Sequence, residues 1–337
     1  MSTDTDTVKC TENELLDLCA RSLLACGASP DHARSIAQAA VTAEAEGNRA
    51  VGLAHLLDYL DALRAGRLVG DAEPEVEPVS PIVTRIDARG GAQHLGVDRA
   101  FDRLVSGARE LGLGAIASHH GFTIGALSYF PRRLAEQGLA GLAFANAAPP
   151  VMPASGGRTP RFCSNPMAFS APLPDGAAIV IDQSSTETAL VAVKQAADRG
   201  ETIPDTWALD GSGEPTTDPA AALAGMLLPF GGARGANIAM MVELMSAGLT
   251  GADWSCDSAA FNSGDTPPSL GYFLLAVDPD KTAGPGWRDR IAQWVETLRQ
   301  DGAFVPGLRK GEAARRSREG GVAVDRATRD AVARYRD

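Results

Sequence analysis

The first part of the chain is a series of apolar stripes at helical spacing, separated by short polar breaks. Thr11 and Glu14 have the spacing of a capping box, and Ser29 followed by Pro30 supplies a cap and a first-turn proline. Residues 1–10 show no apolar period, and we expect them to form a loose tail. Three amphipathic helices are predicted, over residues 11–27, 31–46 and 53–66.

The pattern changes after residue 112, where short apolar runs alternate with glycine and proline. Such runs are typical of buried strands, whereas longer segments with a helical period predict helices. Strands are predicted over residues 82–87, 114–118, 139–145, 179–181 and 270–277. Further helices are predicted over 97–111, 126–137, 186–199 and 235–249, with polar connections over 71–81 and 204–219. The chain after Pro285 is expected to be helical and charged to its end.

The composition is that of an acidic globular protein, with 42 acidic and 31 basic side chains and a formal net charge of −11 over 337 residues. This charge argues against nucleic acid or an anionic membrane as the main partner. No apolar stretch approaches the ~18 residues of a membrane span, and the first ten residues lack the apolar core of a signal peptide. The five cysteines form no paired motif, which indicates a reducing compartment. We therefore expect a cytoplasmic protein that acts on a small molecule.

The five histidines are the first candidates for acid–base chemistry near neutral pH. His119 and His120 end a predicted strand, and His55 lies among leucines on a helix, whereas His32 and His94 are interpreted as surface residues. Because neighbouring side chains of a strand point to opposite faces, His119 and His120 are not expected to share a site. No H-x-x-x-H spacing occurs either, and we expect no metal site.

The common nucleotide and hydrolase motifs are absent from the sequence. No G-x-G-x-x-G follows a strand, and neither G-x-x-x-x-G-K-[ST] nor G-x-S-x-G occurs. A glycine-rich loop over 228–235 does open a predicted helix, and it carries Arg234. Free backbone N–H groups at a helix N-terminus, together with a cation, suit a phosphate group. A tight turn with a solvent-facing arginine is the alternative, which spacing alone favours.

A set of short segments shares its residue types and their order with one known family. The set comprises residues 135–139, 146, 156–158, 164–166, 180–182, 207–210, 215–219, 228–232, 240–244 and 305–309. Through these segments nearly the whole chain resembles the type-2 malate/lactate dehydrogenase family of NAD(P)-dependent oxidoreductases. That family includes ureidoglycolate dehydrogenase and Δ1-piperideine-2-carboxylate reductase.

The resemblance implies an α/β fold that is not of the Rossmann kind. It implies a mixed central sheet with helical N- and C-terminal parts, and usually a homodimer with the cofactor near the subunit interface. On this basis residues 1–112 with 285–337 form a helical part for substrate and dimerisation. Residues 113–284 then form the cofactor-binding α/β domain.

The resemblance also implies NADPH or NADH as the cofactor, with NADP favoured. The family's Asp-Met-Ala segment becomes Asp182, Gln183 and Ser184, and its Gly-Thr-Asn-Pro segment leaves Ser164 as a hydroxyl for the substrate. His55 and Thr123 are the other implied substrate contacts. The remaining implied cofactor contacts are Thr123, Gly125, Arg234, Gly235, Gly307 and Arg309.

The family's catalytic residues are replaced in this chain. Members carry Ser-His-Gly early in the chain, followed by Arg-Leu-Pro; the histidine donates a proton and the arginine holds a substrate carboxylate. The matching positions here hold Ala50, Val51 and His55. Ala192 stands where a later aspartate completes the relay in the reductase branch.

The first candidate for a substitute proton donor is His120, followed by His119 and His55. Other branches use a histidine where an ungapped match places Thr123, and a three-residue insertion would bring His120 to that position. Reduction of a ketone needs a proton on oxygen from a positioned acid, whereas an imine in water is protonated beforehand, and hydride delivery to an iminium needs less from the protein. The sequence therefore predicts an NAD(P)H-dependent reductase of a C=N bond or of an atypical 2-oxo acid-like substrate. The alternative is a scaffold that has lost redox chemistry and serves as a non-redox enzyme or ligand-binding protein.

Overall fold

The computed structural model describes residues 6–336 and is a mixed α/β fold around one large sheet. Its strands are β1 (Thr7–Cys10), β2 (Glu75–Pro78), β3 (Val83–Asp87), β4 (Leu113–Gly121), β5 (Ala140–Ala145), β6 (Met152–Pro153), β7 (Pro160–Phe162), β8 (Met167–Pro172), β9 (Ala178–Gln183), β10 (Ala208–Leu209), β11 (Met226–Leu227), β12 (Leu270–Val277) and β13 (Val322–Asp325). Its helices are α1 (Glu12–Ala25), α2 (Pro30–Ala45), α3 (Leu53–Arg64), α4 (Gln93–Leu111), α5 (Tyr129–Glu136), α6 (Leu190–Arg199), α7 (Pro219–Ala224), α8 (Ala233–Glu243), α9 (Pro279–Thr282), α10 (Trp287–Gln300), α11 (Leu308–Gly320) and α12 (Arg326–Ala333). Within residues 6–336, no helix has the length and apolarity that crossing a membrane requires.

Seven strands form the central sheet in the order β2-β3-β4-β12-β5-β8-β9. Only β3 and β4 run parallel among these neighbours, so the sheet is mixed. β12 comes late in the chain but lies in the middle, where Tyr272 and Leu274 are buried against Ile116 and Phe130. Burial of each leucine, isoleucine or phenylalanine of this kind contributes about 1.5–3 kcal/mol. This arrangement confirms the predicted non-Rossmann sheet.

The N-terminal helices α1, α2 and α3 pack into a second core, as their leucine spacing predicts. The capping box is present, because the Thr11 side chain accepts from the backbone N–H of Glu14 and the Glu14 carboxylate accepts from that of Thr11. Ser29 accepts from the N–H of His32 in the same way at the start of α2. These local signals position α3, which carries His55.

The expectation of a loose tail over residues 1–10 is wrong where the structure describes it. Residues 7–10 form β1, which pairs antiparallel with β13 from the other end of the chain. The C-terminal part is likewise interrupted by β13 and is not helical throughout. The backbone partners lie more than 300 residues apart, and no local pattern reports such a pairing. Residues 1–5 lie outside the described part of the chain.

Most other predicted elements are confirmed with shifted ends. The connection over 71–81 contains the edge strand β2, the loop over 204–219 contains β10, and the helix predicted over 186–199 begins only at Leu190. β8 was not predicted. β2 and β3 come from before residue 113 and pair into the sheet with β4, so the sheet takes strands from both sides of that proposed boundary.

Candidate functional site

His55 lies on α3 with both ring nitrogens engaged. Its Nδ1 is 2.7 Å from Oδ2 of Asp58, three residues further along the helix, and its Nε2 is 3.2 Å from Oγ1 of Thr123. When Nδ1–H donates to Asp58, Nε2 accepts from the Thr123 hydroxyl or, in a protonated ring, donates to it. The Asp58 carboxylate therefore fixes the ring and directs Nε2 toward Thr123.

A buried aromatic layer lies beneath this histidine. The Tyr59 hydroxyl donates to the carbonyl oxygen of Thr123 over 2.9 Å, and burial raises the pKa of Tyr59 well above its ordinary value. His94 packs edge-on against Tyr59, and burial lowers the pKa of His94 to about 4. The interpretation of His32 and His94 as surface residues is wrong, because both are almost fully buried. The Nε2 atom of His32 lies 2.9 Å from the carbonyl oxygen of residue 72.

The segment 123–128, between β4 and α5, joins two groups of predicted site residues. At one end, Thr123 contacts His55, and Gly125 has a positive φ of 64° beside the same ring. At the other end, the backbone N–H and the hydroxyl of Ser128 both donate to Oδ2 of Asp182, over 3.0 and 2.6 Å. The carboxylate of Asp182 thus holds the start of α5 at the end of β9.

Ser164 and the residues that follow Asp182 lie side by side. The N–H of Ser185 donates to the carbonyl oxygen of Ser164, and its hydroxyl donates to that of Asn165 over 2.7 Å. Ser184 bonds forward to Thr186, whereas Gln183 is exposed. The structure therefore brings Ser164 together with the Asp182–Ser184 segment.

A buried carboxylate beneath this pair was missed by the sequence analysis. Oε2 of Glu243, on α8, accepts from the Asn165 side-chain amide over 2.7 Å and from the Ser255 hydroxyl over 2.8 Å. Its Oε1 accepts from the backbone N–H of Ser255 over 2.6 Å. Asn165 has a positive φ of 38°, which its side-chain bonds help to hold. Glu243 thereby fixes the loop that carries Ser164.

The glycine loop over 228–235 packs against the chain just after β9. The N–H of Phe230 donates to the carbonyl oxygen of Ser185, and that of Gly231 donates to Glu187. A Cβ atom at Gly235 would lie 2.0 Å from the carbonyl oxygen of Phe230, so only glycine fits there. Arg234 is exposed in the first turn of α8.

The predicted contacts at the start of α11 lie on the other edge of β9. The N–H of Val180 donates to the carbonyl oxygen of Pro306 over 3.1 Å. Gly307 follows with a φ of 92°, and a Cβ atom there would lie 2.4 Å from the nitrogen of Val180. Arg309 is exposed and its guanidinium lies 5.1 Å from the centre of the Phe304 ring. Of the predicted cofactor contacts, Asp182, Gln183 and Gly307 thus lie on or against β9, and the 123–128 segment links Thr123 and Gly125 to its end.

His119 and His120 lie in a different group, together with Asp87. Nδ1 of His120 is 3.1 Å from Oδ1 of Asp87, and Nε2 of His119 is 4.0 Å from Oδ2. The prediction that adjacent histidines point apart is wrong, because a φ of 50° at His120 breaks the alternation of the strand and both rings approach Asp87. Burial and the neighbouring His120 lower the pKa of His119. Within residues 6–336, no hydrogen bond or ion pair links either ring to His55 or Thr123.

Comparison with known proteins adds to this geometry. A family model for malate/L-lactate dehydrogenase matches residues 10–333. The chain belongs to the type-2 malate/lactate dehydrogenase family. It is an NAD(P)-dependent oxidoreductase, as its resemblance predicted.

Relatives in this family cover nearly the whole chain. The oxidoreductase is 39% identical over 323 residues to (2R)-3-sulfolactate dehydrogenase (NADP(+)) of Chromohalobacter salexigens, covering 94% of this chain and 95% of that protein. It is 37% identical over 312 residues to Δ1-pyrroline-2-carboxylate reductase of Ancylobacter novellus, covering 91% of each chain. The crystal structure of Δ1-piperideine-2-carboxylate reductase from Pseudomonas syringae pv. tomato matches with a TM-score of 0.92 at 33% identity, covering 98% of this chain and 100% of that chain. The alternative of a scaffold without redox chemistry finds no support among these relatives.

The structure also places the replaced relay positions of this family member. Ala50 and Val51 lie in a short 3-10 turn just before α3, one helical turn ahead of His55. Glu44 caps the start of α3 by accepting from the N–H of Leu53 over 3.0 Å. Ala192 lies on α6, whose buried face packs on the small β10–β11 unit.

The residues around β9 fit a dinucleotide. Gly231 and Gly232 precede α8 with positive φ and open space where a Cβ would stand, so their backbone is accessible to a ligand. Two cavities of about 390 and 410 Å³ run along α5 and α11, and both are bordered by Arg132 and Arg318. The second also reaches Gly307. Arg132 is already paired with Glu46, whereas Arg318 adds a cationic side chain, the chemistry that phosphates need.

Two side chains that hold the candidate site in place were not singled out from the sequence, Asp58 and Glu243. Asp58 had a local signal, because it follows His55 by three residues on a predicted helix and so lies on the same face. Glu243 had none. Its burial depends on Asn165 and Ser255, which come from distant parts of the chain.

Proposed function

We propose that this enzyme is an NADPH-dependent reductase of a cyclic imine that carries a carboxylate beside the C=N bond. Relatives that act on Δ1-pyrroline-2-carboxylate and Δ1-piperideine-2-carboxylate support this substrate class. The observation that carries the proposal is the replacement of the family's proton-donating histidine by Val51. An iminium nitrogen already holds its proton in water, so reduction at carbon completes the reaction without a strong acid from the protein.

His55 supplies the polar group that faces the substrate in this proposal. Its Nε2, beside the Thr123 hydroxyl, binds the substrate carboxylate or delivers a proton to its heteroatom, while Asp58 stabilises the charged ring. His120 and His119 are not assigned this role, because they are committed to Asp87. Ser164 is the second proposed substrate contact, held in place by Ser185.

NADPH supplies the hydride when it is bound. Asp182, Gln183 and Ser184 would hold it at the end of β9, with Gly307 on the opposite edge. Arg234 and Arg309 offer two exposed guanidinium groups for phosphates. Thr123 and Gly125 line the path between this region and His55.

A second candidate substrate is a 2-oxo acid with an acidic side chain. The 39% identical relative that acts on (2R)-3-sulfolactate favours it. Here the hydride reaches a ketone carbon, and the alkoxide oxygen must take a proton. His55 is then required as the acid, since no other histidine contacts Thr123 among residues 6–336.

Steady-state oxidation of NADPH with matched substrates tests both candidates. The substrates are Δ1-pyrroline-2-carboxylate, Δ1-piperideine-2-carboxylate, 3-sulfopyruvate, pyruvate and oxaloacetate. We expect the two imines to be turned over with a kcat/KM at least about ten-fold above that of any keto acid, a difference of about 1.4 kcal/mol in the barrier. Faster turnover of 3-sulfopyruvate or oxaloacetate would favour the second candidate, and faster turnover of pyruvate would contradict both.

His55→Gln and His120→Asn separate the assigned histidine from its alternative. His55→Gln should lower kcat/KM for the imine, and should lower it for any keto acid by about 10²–10⁴-fold, the usual worth of a general acid. His120→Asn should leave both values within about two-fold, because a surface substitution away from the site changes little. A loss of activity in His120→Asn alone would overturn the assignment of His55.

We also propose that the enzyme is a cytoplasmic homodimer. Met240, Leu244 and Leu249 are 45%, 50% and 65% exposed along α8 and the turn after it, beside Trp254. An apolar surface of this kind is typical of a subunit interface. All five cysteines are free, which agrees with a reducing compartment. Light scattering of the wild type and of Leu244→Asp should give dimer and monomer masses respectively.

We further propose that the substrate is bound where the two parts of the chain meet. α3, from residues 1–112, provides His55, and the segment 123–128, from residues 113–284, provides Thr123. Residues 285–337 add α11 beside the cofactor region.

A further inference from the structure

Asp87, His119 and His120 converge at one end of the central sheet, and within residues 6–336 none of them hydrogen-bonds to His55 or Thr123. Asp87 ends β3 and His119 stands opposite it in the parallel strand β4. One ligand-type atom from each of the three side chains lies within 4.8 Å of those of the other two. The ring centres of the two histidines are 4.4 Å apart.

The backbone around these side chains is held in an uncommon conformation. His120 and Arg89 both have positive φ, 50° and 52°, although neither is glycine. Two hydrogen bonds between the loops fix them: the N–H of residue 88 donates to the carbonyl oxygen of His119, and that of Gly90 donates to the carbonyl oxygen of His120. Strained, well-held backbone of this kind clusters at functional sites. Here it turns two adjacent imidazoles toward one carboxylate.

The surroundings leave room for a small ligand. A cavity of about 350 Å³ opens beside Asp87 and His119 and is bordered by Glu75, Glu77 and Arg85. Arg85 pairs with Glu77, and Arg89 pairs with Glu75, so each cation there already has its own anion. Oδ1 of Asp87 also accepts from the N–H of Arg89, whereas Nδ1 of His119 is buried without a partner. Neither Arg85 nor Arg89 therefore presents an unpaired positive charge that would repel a metal ion from the three side chains.

We propose that Asp87, His119 and His120 bind one divalent transition-metal ion of the zinc class. Two imidazoles and a carboxylate are a ligand set that suits Zn²⁺, Co²⁺ or Ni²⁺ and does not suit Mg²⁺ or Ca²⁺, which take oxygen ligands. The three ligand atoms lie within 4.8 Å of one another. Small side-chain rotations would therefore let all three approach one ion placed between them to the ~2.0–2.2 Å that separates zinc from nitrogen and oxygen ligands. Water completes the coordination. The ion ties the end of β3 to the end of β4 and takes no part in hydride transfer.

Titration of the full-length chain, without a histidine tag and after treatment with EDTA, tests this site. Calorimetry with ZnCl₂ should give one tight site per chain, and MgCl₂ should give no binding heat. The visible spectrum with CoCl₂ should show a four- or five-coordinate ion without a sulfur-to-cobalt charge-transfer band. Such a band would place the metal on cysteine and overturn the assignment.

Two variants remove single ligands while keeping the local backbone. Asparagine tolerates positive φ, so His120→Asn preserves the turn, and Asp87→Asn preserves the acceptor for the N–H of Arg89. Each should weaken zinc binding by at least about ten-fold, since the ion loses one of three protein ligands. The matched control is His55→Gln, which removes the other histidine–carboxylate pair found among residues 6–336 and should leave zinc affinity unchanged.

The outcomes are distinct from those of the redox assays. Absence of zinc binding to the wild type, unchanged binding by both ligand variants, or loss of binding in His55→Gln would each overturn the site. Far-ultraviolet circular dichroism of every variant shows whether the fold is retained. The wild type should also gain thermal stability on adding ZnCl₂, and His120→Asn should not.

Discussion

Nδ1 of His55 lies 2.7 Å from Oδ2 of Asp58, and both residues belong to α3. The carboxylate is 43% exposed and the imidazole 15%, so the pair lies at the boundary between solvent and the aromatic layer. In the family's pattern this turn of helix carries an arginine at position 55. Arginine carries a permanent positive charge, whereas histidine can bind and release a proton. His55, hydrogen-bonded to Asp58, therefore places a different kind of group at this position.

The first prediction concerns Asp58→Asn. The amide still accepts a hydrogen bond from the ring, but it no longer stabilises a positive charge on His55. A hydrogen bond to a charged group is worth about 1.5–3 kcal/mol, so we expect kcat to fall by at least about ten-fold. Asp61→Asn, one turn further along α3 with Tyr335 as its partner, should keep full activity. Equal activities of the two variants would show that the carboxylate does not assist His55.

The second prediction concerns the buried carboxylate of Glu243. Glu243→Gln keeps the shape but turns an N–H₂ group toward the donors on Asn165 and Ser255. We expect the free energy of unfolding to fall by roughly 2 kcal/mol, and KM for the substrate to rise because Ser164 loses its support. Ser255→Ala removes only one of these donors and should cost roughly 1 kcal/mol.

Urea unfolding and substrate kinetics of the same two variants check this. A purely structural role would lower stability without changing KM at a temperature where both variants are folded. Stability equal to that of the wild type in Glu243→Gln would contradict the hydrogen-bond assignment itself. Glu296→Gln, on the exposed face of α10, serves as the control for loss of a carboxylate.

Local signals in the sequence predicted the helices well. The Thr11–Glu14 box and the Ser29–Pro30 cap act within a few residues, and the structure confirms both. Long-range pairing was not visible. β1 pairs with β13 from the opposite end of the chain, and β8 is a short strand rich in small residues with weak strand preference.

The candidate site likewise contains residues that the sequence predicted and residues whose placement depends on distant parts of the chain. The segments that carry the family resemblance predicted the residues around β9, and the structure brings these together. The rule of alternating side chains failed at His119 and His120, because one residue with positive φ reverses the direction of its side chain. The burial of His94 was equally hidden, since it depends on Tyr59 and Phe130 from other elements.

The third prediction compares two glycines of the C-terminal region. A Cβ atom at Gly307 would lie 2.4 Å from the nitrogen of Val180 and 2.8 Å from the carbonyl oxygen of residue 178, at a φ of 92°. Gly307→Ala should therefore push the start of α11 away from β9 and weaken NADPH binding by about ten-fold or more, a loss of about 1.4 kcal/mol. Gly311 lies inside α11 with open space around it.

Gly311→Ala is the matched control for this pair. Alanine is favoured over glycine in a helix by roughly 0.5–1 kcal/mol, so the protein should become slightly more stable and bind NADPH normally. Fluorescence titration with NADPH measures both affinities. Normal binding by Gly307→Ala would remove α11 from the proposed cofactor site.

The fourth prediction is a pH dependence of stability that comes from His94. Burial holds the pKa of His94 at about 4 in the folded protein, below the ordinary 6.5. Protonation therefore favours the unfolded chain, and the stabilisation is complete above pH 6.5 and is lost as the pH falls toward 4. The difference between these two pKa values corresponds to a loss of roughly 3 kcal/mol in the free energy of unfolding as the pH falls from 6.5 to 4.

His94→Gln removes this titration and retains a polar side chain. Burial also lowers the pKa of His32, while it raises those of Glu44 and Glu46, and these three remain in both proteins. The difference between wild type and variant therefore isolates His94. Urea unfolding across the interval should show a steeper loss of stability in the wild type as the pH falls. Parallel curves for the two proteins would mean that His94 is not held neutral beneath Tyr59.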